Sequence, residues 1–275
     1  MSTIVAQHVA SVDGTRIAYW AAGDGPPLVL VHGSMADHTT MARLTPLLEP
    51  HFTVHAVDRR GRGASGDGRE YTIEHEFADI AAVVDAIAGQ FGTAVSLYGH
   101  SYGATCALGA AVRTDNVRRL VLYEPAVAEA YSYRTGLLVH LDALIEQSRA
   151  DDAVELAFRE LVGVSAAEVE ALRAQPSWTA RVAAAVTIPR ELRIDRKRAF
   201  DLASFADLRT PTILLVGDRS PPGPRAIAAV VDEALPHSRT VALPGQEHMA
   251  QLTAPQLVAR ELIQFAYDYA TGPFR

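Results

Sequence analysis

The 275-residue sequence predicts an α/β protein: an open, mostly parallel sheet of eight strands, with a helical segment inserted between two of them. Three observations lead there. Short, nearly continuous apolar runs recur as LVLVH (28–32), TVHAV (53–57), AVSLYG (94–99), RLVLY (119–123), TILLV (212–216) and RTVAL (239–243), as in strands buried on both faces. Helical periodicity lies between them: Phe77, Ile80, Ala81, Val84, Ile87, Ala88 and Phe91 recur at three- and four-residue steps. From about 128 to 205 the alternation stops, and the chain becomes rich in Ala, Glu, Leu and Arg with no convincing strand.

Two β-rich runs open the chain at 3–9 and 15–21, and the Asp-Gly of Val12-Asp13-Gly14 between them is a hairpin-turn signal. After AVSLYG, the small residues of YGATCALGAAV (102–112) suit a helix that packs closely on a sheet. Val258, Leu262, Phe265 and Tyr269 mark a helix near the C-terminus. Inside the irregular region, helices are expected at 134–149, 151–162, 165–174, 176–187 and 195–204, so that 128–205 forms a helical cap over a core made of 1–127 and 206–275.

Composition narrows the function classes. At 49 % hydrophobic residues the chain can bury a large core, and its net charge of −7 argues against a nucleic-acid partner. The densest basic run, Arg193-Ile194-Asp195-Arg196-Lys197-Arg198, is short and contains an acid, as on a solvated helix surface. The single Cys106 excludes an internal disulfide and suits a cytoplasmic protein. It falls on the helix after residue 101, where a buried structural thiol is expected. No signal peptide and no apolar stretch of membrane-spanning length is visible, so no membrane partner is expected. The expected partner is a small molecule, with a homo-oligomer left open. No cofactor or metal is indicated: Gly61-Arg62-Gly63 is not followed by G-K-[ST], and there is no H-E-x-x-H or paired Cys/His spacing. Trp178 is read as packing before ligand contact.

The chemistry-bearing pattern is Gly99-His100-Ser101-Tyr102-Gly103, which matches G-x-S-x-G between a strand and a helix. In that setting the turn presents Ser101 as a nucleophile, next to the free amides of a helix N-terminus. A serine hydroxyl needs a base. Of ten histidines, His248 alone follows the last strand on a loop at that strand's carboxyl end; His8, His38, His51, His55, His75, His140 and His237 lie in surface-like or unmotivated settings. The strand that ends in His32-Gly33-Ser34-Met35 can bring a backbone N–H to a developing oxyanion. Ser34 and Tyr102 are therefore the oxyanion-hole candidates through their main chain, with Met35 as the alternative to Ser34.

With these pieces in place the chain resembles the α/β-hydrolase superfamily. The matching residues are His32-Gly33, then Asp58-Arg59-Arg60-Gly61-Arg62-Gly63-Ala64-Ser65 (similar to the D-x-R-G-x-G-x-S loop of that family), Gly99 to Gly103, and Gly245-Gln246-Glu247-His248. The resemblance implies the α/β-hydrolase fold with a Ser-acid-His triad. In most relatives the acid stands in a G-x-x-D pattern after the next-to-last major strand, but here Gly217-Asp218-Arg219-Ser220 has serine in that place. The superfamily's other location is the end of the preceding strand, which reads Leu120-Val121-Leu122-Tyr123-Glu124-Pro125. Glu124 is accordingly assigned as the acid, with Asp218 as the alternative. Glu124 together with the Ser-Pro loop is similar to zearalenone lactone hydrolases and to related bacterial hydrolases.

The expected activity is a serine hydrolase that cleaves a carboxylic ester or lactone through an acyl-enzyme. Carbon–carbon bond hydrolysis or acyl transfer could use the same residues, and a ligand receptor that keeps the fold is a rival of another class. An epoxide hydrolase or haloalkane dehalogenase is disfavoured, since both need an aspartate at position 101.

Overall fold

The structure is a computed structural model, in which residues 5–126, 135–194 and 202–267 are described. Its sheet has eight strands: β1 (Gln7–Ala10), β2 (Arg16–Ala22), β3 (Pro27–Val31), β4 (Thr53–Val57), β5 (Val95–His100), β6 (Val117–Tyr123), β7 (Thr212–Gly217) and β8 (Ser238–Leu243). Their order is β1-β2-β4-β3-β5-β6-β7-β8; β1 pairs antiparallel with β2 and β2 with β4, and the other neighbours are parallel. The Asp-Gly signal marks the β1–β2 hairpin, where Gly14 has φ 82° and its N–H donates to the Ser11 carbonyl.

Alternate residues of the central strands feed two separate cores, which is why their sequences read as unbroken apolar runs. Val29, Val31, Leu97, Leu120, Leu122 and Leu214 face one layer, with α2 (Ile73–Phe91) and α3 (Tyr102–Ala111). Leu28, Leu30, Tyr98, Val121, Tyr123 and Leu215 face the other, with Leu48 of the short helix α1 (Thr45–Leu48) and the C-terminal helix Pro255–Tyr267. Cys106 is free and fully buried in the first layer.

Between β6 and β7 the described residues are helical: α4 (Thr135–Glu146), α5 (Ala150–Ala157) with a π-type extension over Phe158–Val162, α6 (Ala166–Arg173), α7 (Trp178–Ala183) and α8 (Ile188–Leu192). They share a third apolar cluster that includes Leu141, Val154, Phe158, Trp178 and Ile188 and reaches Met35 in the loop after β3. The expected helix at 195–204 falls mostly outside the described residues, as do most of the basic run and the limit placed at 128. The described part, Leu202–Phe205, is a 3-10 turn whose Phe205 packs in the α2/α3 core rather than with the inserted helices.

Candidate active site

Three backbone positions do the placing. Ser101, Glu124 and Met35 all have positive φ (55°, 44° and 50°), and among the described residues only Ser148 joins them as a non-glycine there. Such strained geometry persists where the surroundings enforce it. At Ser101 they do: its N–H donates to the Tyr123 carbonyl at 2.8 Å, and its own carbonyl accepts from Ala104 at 2.9 Å. The flanking glycines are required by contact. A Cβ on Gly99 would lie 2.4 Å from the Gly103 carbonyl oxygen, and one on Gly103 would lie 2.3 Å from that of His32.

Glu124 follows β6, with its N–H on the Leu215 carbonyl, and is 2 % exposed. Its Oε2 lies 2.7 Å from His248 Nδ1. Its Oε1 accepts from the Gly217 N–H at 2.9 Å and from the Ser220 hydroxyl. Burial alone pushes this carboxyl up, but the His248, Ser220 and Gly217 interactions together hold it below the usual carboxylate range. Asp218 turns elsewhere, and its Oδ1 caps the Gly245 N–H at 2.7 Å on the exposed side of the loop. Of the two carboxylates considered, only Glu124 reaches the imidazole.

The loop that carries His248 is held from both sides. His100 Nε2–H donates to the His248 carbonyl at 2.8 Å, while the Tyr123 hydroxyl donates to the Glu247 carbonyl and accepts from the Ala250 N–H. Burial, the nearby His248 and the charge of Arg181 keep His100 neutral by lowering it well below the ordinary histidine range. With Nδ1 engaged by Glu124, Nε2 is the ring nitrogen of His248 left for chemistry.

Ser34 and Tyr102 both line the cavity that holds Ser101 and His248. The Gly33 carbonyl accepts from His32 Nδ1 at 2.8 Å and from an Arg59 guanidinium nitrogen at 3.0 Å. Because the peptide is trans, this turns the Ser34 N–H to the opposite side. The three amides on the Ser101 carbonyl (Ala104, Thr105 and Ala126) do the same for the Tyr102 N–H. The Tyr102 side chain points away, its hydroxyl 3.0 Å from that of Tyr71 and its ring under Arg59.

The arginine-rich motif braces the site from behind. Arg59 forms a two-point pair with Glu76 (3.0 and 2.7 Å) and also reaches Glu191 of α8, which Arg62 contacts as well. Arg60 pairs in the same way with Asp79 (2.6 and 2.7 Å). Glu76 and Asp79 were missed in the sequence, although acids within an apolar helix face were a signal that could have found them; Glu191 and Arg181 carried no local signal. His55, expected in an unmotivated setting, is 1 % exposed, packed edge-on to Tyr19 and Phe91 with neither ring nitrogen bonded. Its strand is buried on both faces, so its ring has no route to water.

The cavity has a volume of about 300 Å³. Its far wall comes from the inserted helices, through Phe158, Leu161 and Ile188. Trp178 does not line it; the indole packs on Phe158 and donates to Asp151 at 2.6 Å. Asp37, His38 and Asp58 bring potential ligand atoms within 4.8 Å of one another. These atoms are already committed: Asp58 binds the His38 backbone and ring and the Ala64 N–H, and Asp37 binds Thr39. Among the described residues no helix is long and apolar enough to cross a membrane.

Comparison with known proteins agrees with this architecture. A crystal structure of an alpha/beta hydrolase from Sphaerobacter thermophilus superposes with a TM-score of 0.81 at 36 % identity, covering 94 % of this chain and all of that one. An (E)-2-((N-methylformamido)methylene)succinate hydrolase from Acinetobacter baylyi is 23 % identical over 241 residues, 87 % of this chain and 90 % of its own length. A pimeloyl-[acyl-carrier protein] methyl ester esterase from Xanthomonas campestris is 27 % identical over 255 residues, 88 % of this chain and 96 % of its own. The family profile described as "Alpha/beta hydrolase family" matches residues 28–261, and the chain belongs to that family.

Proposed function

We propose that the protein is a serine hydrolase that cleaves a carboxylic ester or lactone. The observation that carries this reading is the 2.7 Å contact between His248 Nδ1 and Glu124 Oε2, with His248 lining the same cavity as Ser101. Ser101 Oγ attacks the carbonyl carbon while its proton passes to His248 Nε2. Glu124 holds the tautomer that leaves Nε2 free and stabilises the imidazolium. The amides of Ser34 and Tyr102 receive the oxyanion. His248 then gives its proton to the leaving oxygen, and the C–O bond breaks. A water molecule, deprotonated by the same nitrogen, attacks the acyl-enzyme and returns Ser101 to its hydroxyl form. In a lactone the leaving oxygen stays tethered to the acyl group, and the product is one hydroxy acid.

The methyl ester esterase from Xanthomonas campestris supports the ester reading by similarity. The single free, buried cysteine fits a cytoplasmic setting. The test is a fluorophosphonate label followed by a panel of p-nitrophenyl esters and aryl lactones. The wild type is expected to be labelled at Ser101 and to turn over panel members, and Ser101→Ala to do neither. Undiminished turnover by Ser101→Ala would end the proposal.

A further inference from the structure

Among the described residues, buried arginines pair with carboxylates, with one exception inside the cavity. Arg59, Arg60 and Arg62 all contact buried Glu76, Asp79 or Glu191. Arg181 of α7 is equally buried, at 2 % exposure, and among the described residues it forms no ion pair. Its guanidinium donates to the Met35 carbonyl at 3.0 Å and lies 5.2 Å from the centre of the Phe158 ring; its Nε–H has no partner. Burial lowers it to about 10 against the opposing influence of the Asp37 charge, so it remains a cation at neutral pH. Asp37 itself is held by Thr39.

A buried cation that no carboxylate touches is costly, even with Asp37 acting at longer range, and the cost falls when an anion enters beside it. Arg181 lines the same cavity as Ser101 and His248. It is anchored on Met35, the residue after the oxyanion candidate Ser34. An anion on Arg181 therefore sits close to a carbonyl held at Ser101. A single guanidinium matches a single negative charge with two coplanar acceptors, which is a carboxylate. A phosphate dianion would leave one charge uncompensated among Phe158, Leu161 and Ile188.

We propose that Arg181 receives a carboxylate of the substrate, so that the substrate class is a short ester or lactone carrying a second, ionised carboxyl group. This rests on the reading of Ser101 as the nucleophile. Arg181 is a binding and specificity residue in the cavity; the bonds that form and break remain those at Ser101.

The test compares mono-p-nitrophenyl glutarate with its neutral methyl ester, in the wild type and in Arg181→Gln, Arg181→Leu and Arg181→Lys. The readout is the ratio of kcat/KM for the two esters, in which any loss through the Met35 contact cancels. The wild type is expected to favour the acid. The ratio is expected to fall roughly 10- to 100-fold in Arg181→Gln and Arg181→Leu and to recover in part in Arg181→Lys. An unchanged ratio in a folded Arg181→Gln protein overturns the proposal. A second measurement needs no turnover: millimolar glutarate should raise the Tm of Ser101→Ala but not of Ser101→Ala/Arg181→Gln. No rise in Ser101→Ala overturns the anion site. If glutarate binds through Arg181 while neither ester is cleaved and Ser101 resists fluorophosphonate, the hydrolase reading fails and the anion site stands.

Discussion

Ser220 donates its hydroxyl to the carboxylate oxygen of Glu124 that His248 does not use. The serine of Gly217-Asp218-Arg219-Ser220 thus supports the carboxylate one strand away that the proposed triad uses as its acid. Gly217 adds a backbone donor to the same oxygen. Glu124→Gln is expected to reduce kcat by about a thousandfold or more, because an amide can hold the wrong imidazole tautomer. Asp218→Asn, which alters only the turn at Gly245, is expected to stay within about twofold. Steady-state kinetics on any ester that the wild type turns over separates them, and equal losses would return Asp218 to contention.

Ser220→Ala removes one of the three partners of Glu124 and leaves the carboxylate less tightly held. A loss of about tenfold in kcat/KM is expected, with little change in fold. In a Glu124→Ser background, Ser220→Asp supplies a carboxylate from the neighbouring strand. That double variant is expected to recover at least about tenfold over Glu124→Ser alone. No recovery would show that position 220 cannot aim a carboxylate at His248.

Glu191 lies against Arg59 and Arg62 with 2 % exposure. Glu191→Gln leaves two buried guanidinium groups sharing Glu76, and a destabilisation of about 3 kcal/mol is expected. Urea unfolding measures it. A change below about 0.5 kcal/mol would mean that the ion pairs contribute nothing net.

Burial lowers His55 to about 4, against an ordinary value of 6.5. The unfolded chain therefore binds the proton first, and stability falls as the pH drops from 6.5 towards 4, by up to about 3 kcal/mol from this group. His32 and His100 are shifted in the same direction and add to the loss. His55→Leu is expected to reduce the difference in unfolding free energy between pH 7.5 and 4.5 by about 2 kcal/mol. An undiminished difference would remove His55 from the acid response.

What could be read from the residues follows the range of the interactions involved. Strands β3 to β7 were legible because burial on both faces writes itself as continuous apolar runs, whereas β8, expected to be of the same kind, is an edge strand with only Ser238 and Leu243 fully buried. The turn at Ser101 was legible because Gly99 and Gly103 answer contacts made within one strand-turn-helix unit. Glu124 was legible only through its position after Tyr123 and the serine at 220. Arg181 and Glu191 were not legible, because what distinguishes them is their partners. Glu191 meets arginines more than 120 residues earlier in the chain, and Arg181 meets the carbonyl of Met35. On their own helices they read as ordinary charged residues. His55 escaped for the complementary reason, a polar ring in an apolar strand whose neighbours leave it unbonded.

The two-point grip of Arg59 on Glu76, its reach to Glu191 and its hydrogen bond to Gly33 have a bearing on engineering. The inserted helices are not an interchangeable part. A graft that imports another relative's helices onto this sheet would also have to import an acid facing Arg59, or the guanidinium would turn towards other acceptors and release the Gly33 peptide. The helical wall of the cavity and the orientation of the Gly33–Ser34 peptide are thereby inherited together, through one arginine.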